Sequence, residues 1–428
     1  MKRVLMVAYH FPPLAGSSGI QRTLRFVQHL PKFAWQPLVL STNTRAYERI
    51  SHDLDADLPS GTVVRRAFAL DSARHLSLWG RHFGALARPD RWISWKLDGV
   101  RQGMKMIRDF RPDVLWSTYP IATAHLIGAE LHRRSGIPWV ADFRDPMAQD
   151  GYPPDPLTWQ QFKTIEKQAV DNAHCCMFTS PGAARVYRER YPDAAARIVV
   201  LENGYDEESF AAVEATLPRE REALNPGVIT LLHSGIVYPS ERDPTQLFVA
   251  LRQMKEAGDF RESRLKVRFR AAVHDDLLAT LADQHQVQDC IEICPPVPYK
   301  AALREMLQAD ALLVMQAANC NEQIPAKIYE YLRARRPIVC LSDRRGDTAG
   351  VLRHAGIDTV ADIDSAQEIA QLLRRLLSGN SGNALPSEQA VREASRSGRS
   401  AHLAAWFDRI ASGAPELALG LESSRTAT

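Results

Sequence analysis

Apolar and polar positions along the chain follow two alternating periods. Val4 to Tyr9 is a continuous apolar run, as expected of a strand covered on both faces in a parallel sheet. A loop with Pro12, Pro13, Gly16 and Gly19 follows, and Ile20, Leu24, Val27 and Leu30 then recur at helical spacing. A second apolar run, Pro37 to Leu40, completes a strand, glycine loop, helix, strand unit, the opening of a doubly wound α/β fold. The pattern predicts further strands at Val114 to Ser117, Trp139 to Asp142, Cys175 to Thr179 and Val199 to Glu202. A helix is predicted over Ala122 to Arg134.

Apolar periodicity lapses across Glu207 to Asn225, which is rich in Glu, Arg and Ala, and resumes at Val228. Predicted strands at Ile229 to His233, Leu265 to Arg270, Ala311 to Met315, Pro337 to Leu341 and Thr359 to Val360 form a second alternating series. Two such series imply two facing Rossmann-like domains with a cleft at the carboxyl ends of their strands. The expected division is an N-terminal domain over 1–205, a linker over 206–226 and a C-terminal domain over 227–386. A helix over 387–411 and a flexible tail over 412–428 complete it.

A length of 428 residues fits two cores better than one. The net charge of +3 excludes a global basic footprint for nucleic acid. The six cysteines form no C-x-x-C pair and sit mostly in apolar surroundings, which points to a reduced, cytoplasmic setting rather than a disulfide framework. Thirteen histidines give neither H-E-x-x-H nor a zinc-type cluster, so no metal site is expected. The apolar run after Met1-Lys2-Arg3 is too short for a signal peptide, and no segment approaches a bilayer span.

The segment Asn321 to Leu332 carries the most chemistry. Pro325 suits the first turn of a helix, which places Glu322 in the loop before it and Glu330 about a turn and a half inside it. A helix start offers N–H groups and a positive dipole end to a phosphate, and Lys327 adds a point charge on the face of Glu330. Glu330 can hold two vicinal ribose hydroxyls, and Glu322 those of a sugar. On spacing alone the same residues read equally as a surface helix with an ordinary Lys327–Glu330 pair, worth about 0.3 kcal/mol.

Two carboxylates eight positions apart, Glu322 and Glu330, resemble the E-x7-E motif of family 4 glycosyltransferases of the GT-B fold. Gln323-Ile324-Pro325 stands where that family usually has Gly-Phe-Gly, and Pro325-x-Lys327-x-x-Glu330 resembles a variant of polysaccharide-assembly transferases. Other segments agree in order. Tyr9 to Pro13 with Gly16, Gly19 and Arg22 resembles the family's first loop. His233-Ser234-Gly235 followed by Arg242-Asp243-Pro244 resembles its phosphate-contacting loop, and Ala141 to Pro146 its Asp-x-Arg-Asp segment.

The resemblance implies a retaining transfer of sugar from a nucleoside diphosphate sugar to a hydroxyl of a glycan or lipid-linked acceptor, without cofactor or metal. Arg242 and Lys327 then bind the leaving diphosphate and, with Glu322, form the catalytic set. Glu330, Gly16, Gly19, Gly235, Ile324 and Pro325 bind the donor. His10, Arg22, Asp142, Arg144 and Asp145 lie on the acceptor side, where an Arg144–Asp ion pair bracing the loop is the competing reading. The final helix is expected to return to the N-terminal domain. Two rivals stay open, a GT-B sugar-nucleotide epimerase and a degenerate, non-catalytic partner subunit.

Residues 65–111 hold eleven basic residues against four acidic ones, interleaved with Leu, Ile, Phe and three tryptophans, Trp79, Trp92 and Trp95. The stretch reads either as a dock for anionic lipid at the inner face of the membrane or as arginine-bearing helices packed on their own domain.

Overall fold

The computed structural model describes residues 1–17, 19–75, 87–261, 264–380, 382 and 384–413. The chain forms two compact units, Met1–Glu202 with Arg396 onward, and Asn203–Ser395. The first holds a seven-stranded, all-parallel sheet in the order β3-β2-β1-β4-β5-β6-β7. Its strands are β1 Lys2–Val7, β2 Trp35–Thr42, β3 Val63–Ala67, β4 Val114–Thr118, β5 Trp139–Arg144, β6 Cys175–Phe178 and β7 Ile198–Val200. The second holds a six-stranded parallel sheet in the order β10-β9-β8-β11-β12-β13. These are β8 Val228–Ser234, β9 Arg264–Arg270, β10 Ile291–Cys294, β11 Ala311–Gln316, β12 Ile338–Ser342 and β13 Val360–Ala361.

In both sheets the first strand lies inside and the chain order reverses beside it, at β1/β4 and β8/β11. Such a switch point opens a crevice at the carboxyl ends of its strands, where α/β folds bind ligands. The interior strands β1, β4, β5, β6 and β11 are buried along almost their whole length, which is why their sequences read as unbroken apolar runs. β3 and β10 escape that pattern. Both are edge strands, with Arg65-Arg66 in one and alternating Ile-Glu-Ile in the other, so their signal is weak.

Residues 206–226, read as a linker, carry the helix Glu207–Glu214 and belong to the second unit. Phe210 and Val213 are its buried residues. Arg333 bridges its Glu207 and Glu214 carboxylates at 2.7 and 2.8 Å and stacks on Phe210. The anchor is a buried aromatic and a long-range ion pair, neither of which gives helical periodicity. The segment 387–411 is likewise two helices. Glu388–Glu393 stays with the second unit, and Arg396–Ala411 packs in the first, where Leu403, Phe407 and Ile410 meet Val4, Met6 and Trp116. The expected return of the last helix is observed.

All six cysteines are free thiols, five of them buried. Among the described residues no helix is long and apolar enough to cross a membrane.

Candidate functional site

In the second unit β8 ends at Ser234, and Gly235 follows with φ +114°, a conformation that side chains rarely adopt. A Cβ there would lie 3.2 Å from Lys327 Nζ, so the glycine leaves room for the ammonium. Lys327 opens the helix Lys327–Ala334, and its Nζ is 3.0 Å from His233 Nε2. His233 is fully buried, and its Nδ1 lies 3.0 Å from the Leu313 carbonyl. A carbonyl only accepts, so Nδ1 carries the proton and Nε2 accepts from Lys327. Burial, then the adjacent Lys327 charge, holds His233 well below its ordinary pKa, in the neutral form.

Lys327 itself is lowered to about 7, mainly by loss of solvent around its ammonium and then by Arg242, against a smaller opposing pull from Glu330. Arg242 donates to the Ile236 carbonyl at 2.9 Å and lies over the Tyr238 ring. Tyr331 accepts from the Ser234 N–H at 2.9 Å, which ties the helix to the strand end. Two basic side chains, Lys327 and Arg242, are thus held at the switch point of the second sheet, with Glu330 on the flank. A cluster of that sign suits a diphosphate.

Pro325 lies before the regular helix rather than inside its first turn, because its carbonyl already accepts from the Ile328 N–H at 3.0 Å in a tighter turn. Glu330 consequently sits in the first helical turn, where Tyr299 donates to its Oε1 at 2.8 Å. Ile324 packs on the core below. Glu322 is exposed on a loop pinned by Asn321 to Asp343 and by Thr348 to the Gln323 carbonyl. The expected side-by-side role of the two glutamates therefore starts from unequal settings.

In the first unit, the partner of Asp142 is Arg22 and not Arg144. Arg22 forms a two-pronged pair with Asp142 at 2.9 and 2.8 Å, and both side chains are buried. Thr118 donates to the same carboxylate at 2.8 Å, and Arg22 also donates to the Leu201 carbonyl. With its acceptors filled, this pair braces β5 against the Gly19–His29 helix; it is not an open acceptor contact. The competing expectation of an Arg144–Asp brace gives way to Arg22–Asp142.

Arg144 is at the end of β5 with φ +65°, in a three-residue turn closed by Asp145 N–H to the Phe143 carbonyl. Its guanidinium reaches the start of the Gly19–His29 helix together with His10. A Cβ on Gly19 would lie 2.7 Å from His10 Nδ1 and 2.9 Å from Arg144 Nη1. The missing side chain of Gly19 is therefore used by protein groups, not left open for a donor as expected. Gly16 (φ +79°) borders open space. Burial, reinforced by Arg144, lowers His10 to about 4. Asp145 is exposed and accepts from Thr179 at 3.3 Å.

His125 lies in the core, bonded to Ser117 and packed on Phe143, away from these groups. Sequence reading placed His233 in the phosphate-contacting loop without giving it a role of its own, and gave none to Tyr299 and Tyr331. The first stood at a predicted strand end, a usable signal, whereas Tyr299 is one of many tyrosines until the fold brings it to Glu330. In the 65–111 stretch, Trp95 is buried and Trp92 packs on Tyr9 and donates to the Ala46 carbonyl, so neither is a membrane anchor. Trp79 lies outside the described residues.

Residues 18–204 match the family model of the glycosyl transferase 4-like domain. No curated protein matches the chain. Among solved structures, a glycosyltransferase from Rickettsia africae shares 12% identity over 96% of this chain and 98% of its own, with a TM-score of 0.65. The Anabaena protein HepE in complex with UDP shares 13% over 96% and 98%, with a TM-score of 0.59. A UDP-N-acetylglucosamine 2-epimerase shares 13% over 96% of each chain, with a TM-score of 0.52. Residues 18–204 thus carry the match to a glycosyl transferase 4-like domain, and the chain shares the two-domain GT-B fold of these structures.

Proposed function

We propose that the chain is a retaining glycosyltransferase that moves a sugar from a nucleoside diphosphate sugar to a hydroxyl of a glycan or lipid-linked acceptor in cell-surface polysaccharide assembly. The observation that carries the reading is the Lys327–His233–Arg242 cluster at the end of β8, beside Glu330. Lys327 and Arg242 hold the diphosphate and neutralise the charge that grows as the bond to the sugar breaks. Glu330 takes the ribose hydroxyls, while Glu322 and the Gly235, Ile324 and Pro325 backbone border the donor sugar. No protein base or cofactor is required, because the departing phosphate takes the acceptor proton on the same face. The UDP bound by HepE supports a nucleotide in the equivalent fold.

The protein works at the cytoplasmic face of a membrane. Support comes from one face of the helix Trp95–Phe110, where Leu97 (83% exposed), Arg101, Lys105 and Arg108 form an exposed basic stripe beside exposed Phe68.

Thermal-shift titration with UDP, GDP, ADP and their sugars tests the donor reading, and no shift with any of them would sink it. Incubation of the responding nucleotide sugar without acceptor then separates the rivals. Release of an isomerised sugar marks an epimerase, and an inert complex marks a non-catalytic partner. Retention is read from the anomeric configuration of the product by NMR.

A further inference from the structure

We infer that Arg144 and His10 form a binding site for an anionic group, a phosphoryl group carried by the acceptor, at the start of the Gly19–His29 helix. The charge balance leads there. Asp142, the nearest buried carboxylate in sequence, is fully engaged by Arg22 and Thr118. Among the described residues no carboxylate oxygen lies within 4.0 Å of Arg144. Among the described residues its guanidinium makes one hydrogen bond, from Nη1 to the Tyr119 carbonyl at 3.4 Å, which leaves most of a five-donor fork unused.

The surroundings make an unpaired cation there costly. Burial, then the neighbouring Arg22, works against the charge of Arg144, and Asp142 and Asp145 offset this only in part. The guanidinium also lies against the positive end of an 11-residue helix, where like charge is disfavoured. An anion reverses both penalties, because it pairs with the fork and lies at the positive end of the helix. His10 is kept neutral by burial and Arg144, so it adds a hydrogen-bonding nitrogen without more repulsion. Gly19 is what lets both side chains close on that turn. A tetrahedral phosphoryl group can meet the fork, the imidazole and the helix end at once, which a flat carboxylate does less well. Placing the anion on the acceptor rests on the transfer reading above; anion binding itself does not.

The full chain saturated with UDP, so that the second unit is occupied, is titrated with inorganic phosphate by calorimetry. Wild type binds saturably. Arg144→Gln is expected to lose about tenfold or more in phosphate affinity, the scale of hydrogen bonds to a charged group, with UDP affinity retained. Gly19→Ala keeps every charge but displaces His10 and Arg144, and it gives the same loss should Arg144→Gln fail to fold. Unchanged phosphate affinity in a folded variant overturns the site. A parallel fall in UDP affinity in Arg144→Gln overturns it as well, by assigning Arg144 to the donor. If UDP does not bind wild type at all, the transfer reading fails while the phosphate titration still decides the anion site. A sugar 1-phosphate and a short isoprenyl diphosphate then compete against phosphate, and the tighter competitor identifies a soluble or a lipid-linked carrier.

Discussion

The ammonium of Lys327 is bonded to the unprotonated nitrogen of His233 at 3.0 Å, and the Leu313 carbonyl on the far side of the ring determines which nitrogen that is. The histidine thus offers Lys327 an acceptor without a negative charge, so the cation is oriented but not neutralised before a diphosphate arrives.

Proton uptake on donor binding follows. Free Lys327 is half protonated at a pH of about 7, and a bound diphosphate holds it charged. Above that pH binding must take up a proton, so UDP affinity should fall by up to ~10-fold per pH unit as pH rises. Calorimetry from pH 7 upward, where the terminal phosphate is already ionised, should show this slope in wild type and none in Lys327→Met. His233→Leu removes the acceptor that favours the ammonium, and the fall should begin at lower pH.

Gly235→Ala is expected to weaken UDP binding about tenfold and to destabilise the second unit by about 1–3 kcal/mol. The added methyl meets Lys327 Nζ at 3.2 Å, and the alanine must hold φ +114°. Equilibrium binding and urea unfolding report the two effects separately.

Asp142→Asn should cost about 3–5 kcal/mol in unfolding free energy, because it leaves the Arg22 guanidinium buried without its counter-charge. Denaturant titration is the measurement. A loss confined to turnover, with stability intact, would return Asp142 to the acceptor side.

Glu330→Ala should weaken UDP binding by ~100-fold or more, the scale of two hydrogen bonds to a carboxylate. Tyr299→Phe removes the phenol that donates to Glu330 Oε1 and should change affinity by only about threefold. Parallel titrations compare them.

Reversing Arg101, Lys105 and Arg108 to Glu should abolish sedimentation with phosphatidylglycerol vesicles, at about 1 kcal/mol for each basic residue removed. Binding that survives the triple change would remove this stripe from the membrane contact.

How much of this could be read in advance depends on distance along the chain. Strands covered on both faces were legible because burial alone dictates their composition, and the edge strands β3 and β10 were not, because half their surface is free to be polar. Lys327 and Glu330 were found as neighbours on one helix, yet their hydrogen-bonding partners come from elsewhere. His233 is 94 residues from Lys327, and Tyr299 is 31 from Glu330. The Asp142 to Asp145 cluster suggested a local ion pair, whereas the real partner, Arg22, is 120 residues away and reaches β5 only through the sheet order. Short-range spacing nominates a charged residue; the fold chooses what it pairs with.

The Arg396–Ala411 helix has a consequence for the order in which the molecule is made. Trp35 packs at a tilt on Phe407 and donates to Asp408, and Val4, Val39, Trp116 and Val140 share the same cluster with Leu403 and Ile410. A ribosome exposes those strands before the second unit and the helix that covers them after it. The second unit, whose ends are joined by the Tyr205–Ser395 bridge, is complete before then. The first unit is therefore begun before the second and completed after it, and its apolar face needs protection from other chains until that helix emerges.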